Sequence, residues 1–234
     1  MKIEVWSDYV CPFCYIGKRQ LEKAIKDTGY ENQIEVEYKS FLLDPTTPVD
    51  ANDSVYSSLA KKYNISVEQA KNMTKGVAER AKEVGLEYDF DHMKEANTIA
   101  AHRLAKWAAT KQKGEEFSER VLQAYFLEGK AIGQQDVLLN LVEELGLDKK
   151  EAQQILNSNQ FKEEMDRDIY EAQQIGVRGV PFFVINNKYG ISGAQPQNLF
   201  EQTIEKAASE AGLKPNLKMV GDNGNTCSDG SCDI

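Results

Sequence analysis

Strand-forming segments lie only at the two ends of this chain, and the long stretch between them is helical in pattern. Residues 3–7 alternate apolar and polar side chains after Met1-Lys2, as a half-buried strand does. Ile34 to Leu42 repeats that pattern, with Ile34, Val36 and Tyr38 on one face, and Pro45 and Pro48 stop it. From about Asp53 to Ile175 the pattern is helical, and then Phe182 to Ile185 and Tyr189 to Ser192 read as strands again. Short strands need one another for partners, so the two ends must meet in one sheet. The fold class that follows is α/β: a mixed sheet with a large all-helical insertion between strand two and a C-terminal ββα unit. The boundaries expected are 1–50 and 176–212 for the two parts of the sheet domain, 51–175 for the helical insertion, and 213–234 for a flexible tail.

Local signals fix the helix ends. The first helix runs from about Phe13 to Lys26, with Leu21 and Ile25 four apart and Gly29 just beyond it. Ser66 with Gln69, and Asp148 with Glu151, have the spacing of capping boxes. Asn97 opens a helix carrying Ala101, Leu104 and Ala108, and the last helix of the insertion spans about Gln160 to Gln174 before Gly176. Asn186-Asn187 is a hairpin turn, because Asn tolerates positive φ. Pro196 fits the first turn of a final helix that ends near Ala211.

The 234 residues include 41% hydrophobic side chains and carry a net charge of −9. That charge argues against a nucleic-acid backbone or an anionic membrane as partner, and no apolar stretch approaches a membrane span. The N-terminus reads as a strand and not as a secretion signal, so the expected location is cytoplasmic. Four cysteines in a reducing compartment are not a structural disulfide framework. They form two close pairs, Cys11/Cys14 and Cys227/Cys232, which point to redox chemistry or to metal.

Cys11-Pro12-Phe13-Cys14 falls on the turn from strand one into helix one. Cysteines three apart at a helix start lie nearly one turn apart, so their sulfurs can meet. The helix N-terminus favours negative charge, so Cys11, at the open end, is the expected thiolate nucleophile. Cys14, inside the first turn, is the expected resolving thiol. Pro12 suits a position that needs no N–H. Phe13 offers the thiolate neither charge nor hydrogen bond, so this pair should be less oxidising than one with His there.

Val180-Pro181 stands at the mouth of strand three, where a Pro leaves the ladder intact. A cis peptide there would set the Val180 backbone beside Cys11, where its N–H and C=O could pair with an extended substrate. Val180 and Pro181 are therefore the candidate substrate-binding residues. His102 is the candidate cleft residue between insertion and sheet, although a helix histidine bonded to a backbone carbonyl is the plainer expectation. Trp6 and Trp107 read as core. Fifteen residues from Gly212 to Cys227 extend about 50 Å, against a domain radius of gyration of roughly 17 Å. The tail pair is thus a candidate auxiliary disulfide relay.

Four segments together carry a family resemblance. They are Cys11-Pro12-Phe13-Cys14-Tyr15-x-Gly17, Asn97-x-x-Ala100-x-His102-Arg103, Gly176-Val177-x-Gly179-Val180-Pro181-x-Phe183 and Ser192-Gly193-Ala194-Gln195. In this order they resemble the DsbA family in its cytosolic FrnE-like branch, over nearly the whole chain. The resemblance implies a thioredoxin-like fold with a helical insertion and thiol–disulfide oxidoreductase or isomerase activity without a cofactor. It implies Cys11 as nucleophile, Cys14 as resolving thiol and Pro181 as a cis-proline. Some FrnE-like proteins also carry a C-terminal C-x4-C, matched by Cys227 to Cys232. The implied partners are protein or small-molecule thiols and disulfides, with glutathione or a thioredoxin system recycling the site.

Two other readings compete. Kappa-type glutathione transferases and 2-hydroxychromene-2-carboxylate isomerases look similar around Asn97 and Pro181, but use a single Ser where this chain has two cysteines. A non-catalytic zinc-binding or redox-sensing protein would join Cys11 and Cys14 to Cys227 and Cys232.

Overall fold

The computed structural model describes residues 1–216. Cys227 and Cys232 lie outside the described residues. The chain begins with β1 (Lys2–Ser7), α1 (Pro12–Thr28) and β2 (Glu35–Ser40). Seven helices follow: α2 (Val55–Tyr63), α3 (Val67–Glu83), α4 (Ile99–Thr110), α5 (Gly114–Phe126), α6 (Gln135–Glu144), α7 (Lys149–Leu156) and α8 (Lys162–Gln174). The chain then returns to the sheet with β3 (Phe182–Ile185) and β4 (Tyr189–Ser192), and α9 (Gln197–Glu210) covers it.

The sheet order is β2-β1-β3-β4. β1 runs parallel to β2 and antiparallel to β3, and β3 pairs antiparallel with β4. Both ends of the chain therefore supply one mixed sheet, in which β1 and β3 are central. β2 is shorter than the expected Ile34–Leu42, because past Ser40 the chain leaves the ladder: Leu43 N–H is taken by the Asp8 carboxylate at 2.8 Å. Asn186 and Asn187 turn the β3–β4 hairpin at φ 52° and 55°. α9 starts one residue later than expected, with Pro196 as its N-cap.

Strand alternation decides what each face holds. Ile3, Val5, Phe183 and Ile185 are fully buried against α1 and α9, where the Phe183 and Phe200 rings meet edge to face at 4.8 Å. Trp6 points the other way onto α8 and donates its indole N–H to the Asp168 carbonyl at 2.9 Å. Helices therefore cover both faces. At Gly17 a methyl group would sit 3.0 Å from Phe183 Cζ and 3.1 Å from Pro181 Cγ. The bare Cα lets α1 lie close on β3 and on Pro181.

The insertion is not a separate ball. Its core of Leu104, Trp107, Phe117, Val121 and Phe126 is continuous with Tyr9, Tyr15 and Ile16 from the sheet part. The Ser66–Gln69 capping box forms in both directions. At Asp148 the side chain caps Lys150 and Glu151 N–H, while the Glu151 side chain turns instead to Lys111. Asn97 accepts from Ile99 N–H at 3.0 Å, so its side chain does open α4 although Thr98 holds the cap position.

Candidate active site

Cys11 is the N-cap of α1, in extended backbone conformation with φ −88° and ψ 110°. Its N–H donates to the Asp8 carbonyl at 3.1 Å, and its own carbonyl accepts from Cys14 N–H at 3.0 Å. That turn exists because Pro12 at N1 has a φ suited to a helix start and no N–H to satisfy. No acidic side chain stands in the first turn to oppose a thiolate at its mouth.

Both thiols are buried and free. They are neighbours at the start of α1. Burial pushes the Cys14 thiol well above the ordinary range, and the neighbouring Cys11 pushes it further. The polar Ser7 side chain and Asp8 backbone nearby oppose that shift.

The Val180–Pro181 peptide is cis. Cys11 Sγ donates to the Val180 carbonyl at 3.3 Å, across 169 residues of sequence. Val180 is half-buried, and its N–H has no hydrogen-bond partner among the described residues. The Pro181 carbonyl accepts from Gly193 N–H at 2.8 Å, so the Ser192-Gly193-Ala194 segment anchors the strand mouth. The structure thus brings together Cys11, Cys14, Val180 and Pro181.

The insertion reaches this site through residues that carry no sequence signal. The Tyr88 hydroxyl donates to the Pro12 carbonyl at 2.7 Å. Burial, with Cys11 and Tyr15 next to it, holds the Tyr88 phenol far above its ordinary range, so it remains a donor. Arg80 of α3 lies over the Phe13 ring, 5.0 Å from its centroid, and donates to the Ala194 carbonyl at 3.0 Å. Its guanidinium ties the second residue between the cysteines to the loop after β4.

His102 differs from the plainer expectation. Its Nε2 stands 3.4 Å from a carboxylate oxygen of Asp8, not at a backbone carbonyl, and its ring packs on Tyr9 with centroids 4.7 Å apart. Asp8 is buried, and its other oxygen accepts from Leu43 N–H. Sequence reasoning missed Asp8, although an acid ending a buried strand three residues before the first cysteine is a signal. Among the described residues no group of three or more His, Cys, Asp or Glu is placed to hold a metal. No described helix is long and apolar enough to cross a membrane.

A sequence profile for the DSBA-like thioredoxin domain matches residues 2–205. The chain belongs to that family. A protein from Streptomyces coelicolor described as a probable DsbA oxidoreductase is 32% identical, with a TM-score of 0.85 over 100% of this chain and 99% of that one. The uncharacterized protein YwbO of Bacillus subtilis (strain 168) is 32% identical over 204 residues, 86% of this chain and 94% of that protein. A 2-hydroxychromene-2-carboxylate isomerase superposes with a TM-score of 0.67 at 16% identity, over 92% of this chain and 100% of that one. At that identity the likeness is one of fold. The DsbA-like thioredoxin fold accounts for the sheet order and for the insertion between β2 and β3.

Proposed function

We propose that this DsbA-like protein is a thiol–disulfide oxidoreductase of the FrnE-like branch, acting on protein or small-molecule disulfides. The observation that carries the proposal is the placement of Cys11 at the mouth of α1, against the Val180 carbonyl, with buried Cys14 one turn behind it. Cys11 attacks a substrate disulfide and forms a mixed disulfide. Cys14 then attacks Cys11, closes the intramolecular disulfide and releases the reduced substrate. The exchange is reversible, so the same pair oxidises or isomerises when its partner is more reducing. Val180 N–H and C=O hold the substrate chain as an added strand, and Pro181 flanks them.

In a reducing compartment, glutathione or a thioredoxin system returns the site to the dithiol. Cys227 and Cys232 are proposed as an auxiliary pair that exchanges with Cys11. An insulin-reduction assay tests the reading, coupled to a redox titration. Cys11→Ser and Cys14→Ser should each abolish turnover, and Phe13→His should raise the potential by about 30 mV or more, a tenfold shift in the equilibrium constant. Full turnover by Cys11→Ser would overturn it.

A further inference from the structure

A net charge of −9 repels anions at long range, yet the rim of the thiol site carries positive charge that the fold does not neutralise. Arg19, Arg103 and Arg120 are spent within the structure. Arg19 pairs with Glu22 and Glu119, Arg120 pairs with Glu128 and Glu144, and Arg103 donates to the carbonyls of Ile155, Ser158 and Gln160. Arg80, Arg167 and Arg178 have no carboxylate partner among the described residues. Arg178 stands exposed two residues before Val180. Arg80 pairs with neither Glu79 nor Glu83, its neighbours on α3, and is instead fixed against the thiol site.

Two contacts hold the Arg80 guanidinium there. It lies over the Phe13 ring, 5.0 Å from the centroid, and one Nη2–H donates to the Ala194 carbonyl at 3.0 Å. Phe13 stands between the two cysteines, and Gly193, next to Ala194, is the residue that bonds the Pro181 carbonyl. The guanidinium is therefore tied to both halves of the site while remaining exposed. Arginine carries five N–H donors. Those on Nε and Nη1, and the second on Nη2, have no partner among the described residues. Such a fork matches a carboxylate through two parallel hydrogen bonds. Fixing it before the ligand arrives removes part of the side-chain entropy cost that makes ordinary surface ion pairs weak.

We propose that Arg80 is a specificity-determining residue whose free donors bind a carboxylate of the substrate, so that the site favours disulfides carrying a carboxylate a few bonds from the sulfur. The inference rests on the proposed function and names the substrate class for it: peptide disulfides with an acidic side chain or a free C-terminus near the cysteine. Val180 N–H and C=O hold the peptide backbone beside Cys11, and Arg80 takes the carboxylate on the Phe13 side. The Cys11 thiolate attacks one sulfur of the bound disulfide. The bond from Cys11 to that sulfur forms as the substrate S–S bond breaks, and the other half leaves as a thiolate that takes a proton from solvent. Arg80 touches the substrate but none of the reacting atoms. Net charge alone predicts the opposite order, because an acidic protein draws in cationic disulfides.

The charge of the disulfide separates this role from a packing role. The reduced full-length Cys14→Ser chain is mixed with glutathione disulfide, with uncharged hydroxyethyl disulfide or with cationic cystamine. Samples are quenched with acid, and loss of the free Cys11 thiol is mapped by mass spectrometry. Adding Arg80→Met should lower the rate ratio of glutathione disulfide to hydroxyethyl disulfide about fivefold. Arg80→Glu should lower it further, and both should raise the ratio of cystamine to hydroxyethyl disulfide. Raising salt from about 20 mM to about 500 mM should lower the glutathione disulfide ratio when Arg80 is present and should not lower it in Arg80→Met. Methionine keeps an apolar cover on Phe13, and any change in the reactivity of Cys11 itself is common to the three reagents and cancels in the ratios. Ratios that do not follow the charge at position 80 overturn the inference, as does a glutathione disulfide ratio that salt leaves unchanged with Arg80 present. A Cys11 that reacts with none of the three disulfides would instead overturn the proposed function.

Discussion

Cys14 is the residue on which folding and chemistry press in opposite directions. The fold needs a small apolar group under the first turn of α1, and burial there holds the thiol in its neutral form. The pH dependence of stability follows with a definite sign. The unfolded chain releases this proton near the ordinary thiol value of 9.0, while the folded chain holds it to higher pH. The contribution is therefore complete below pH 9 and is lost as pH rises, at about 1.4 kcal/mol per pH unit. Urea unfolding of the reduced protein at pH 8 and pH 10 should show that loss, and Cys14→Ala should not share it. Gly17, one helical turn further on, is dictated by packing alone: Phe183 and Pro181 already occupy the space of a β-carbon.

At the scale of elements, α1 and α5 are fastened to each other by charge. Glu119 of α5 accepts from the Tyr15 hydroxyl at 2.7 Å, and both Lys18 and Arg19 of α1 pair with it. Burial pushes the Glu119 carboxyl up, but the Tyr15 hydrogen bond and the two cations outweigh it, leaving it below the ordinary value of 4.5. A depressed carboxylate stabilises the fold fully above 4.5, and that part is lost as pH falls below it. Glu119→Gln should cost about 1.5–3 kcal/mol at neutral pH and flatten the acid limb of the stability curve, as measured by denaturant midpoints from pH 3 to 7.

The elements that close through neighbours in sequence were legible beforehand. Gly29 ends α1 in the left-handed conformation at φ 75°, and the Asn pair turns the hairpin. The two thiols and the Val180–Pro181 step could be read because a strand, a helix start and a strand-opening Pro each leave a local mark. What could not be read depends on tertiary contact. Lys18 is 3% exposed because three glutamates from two helices surround it. Asp168 ties α8 to β2 and α4 through Ser40 N–H and Lys106. Tyr88 and Arg80 meet the site only after the insertion has folded over α1.

On the scale of the whole molecule, the insertion and the sheet share a core, so they should unfold together. Trp6 reports the sheet against α8, and Trp107 the interior of the insertion; both are buried. Fluorescence melts of Trp6→Phe and Trp107→Phe, each with one tryptophan left, should agree with far-UV circular dichroism of the same variant in midpoint and slope. Separated transitions would show two independently stable parts.

The most direct test is to trap the first covalent species. Reduced Cys14→Ser and Cys11→Ser chains are mixed with glutathione disulfide and digested under acid, and the adducts are mapped by mass spectrometry. A rapid adduct on Cys11 in the first variant, with Cys14 unmodified over the same time in the second, is the predicted result. Equal modification of Cys14, or an inert Cys11, would contradict the assignment of attack to the helix mouth.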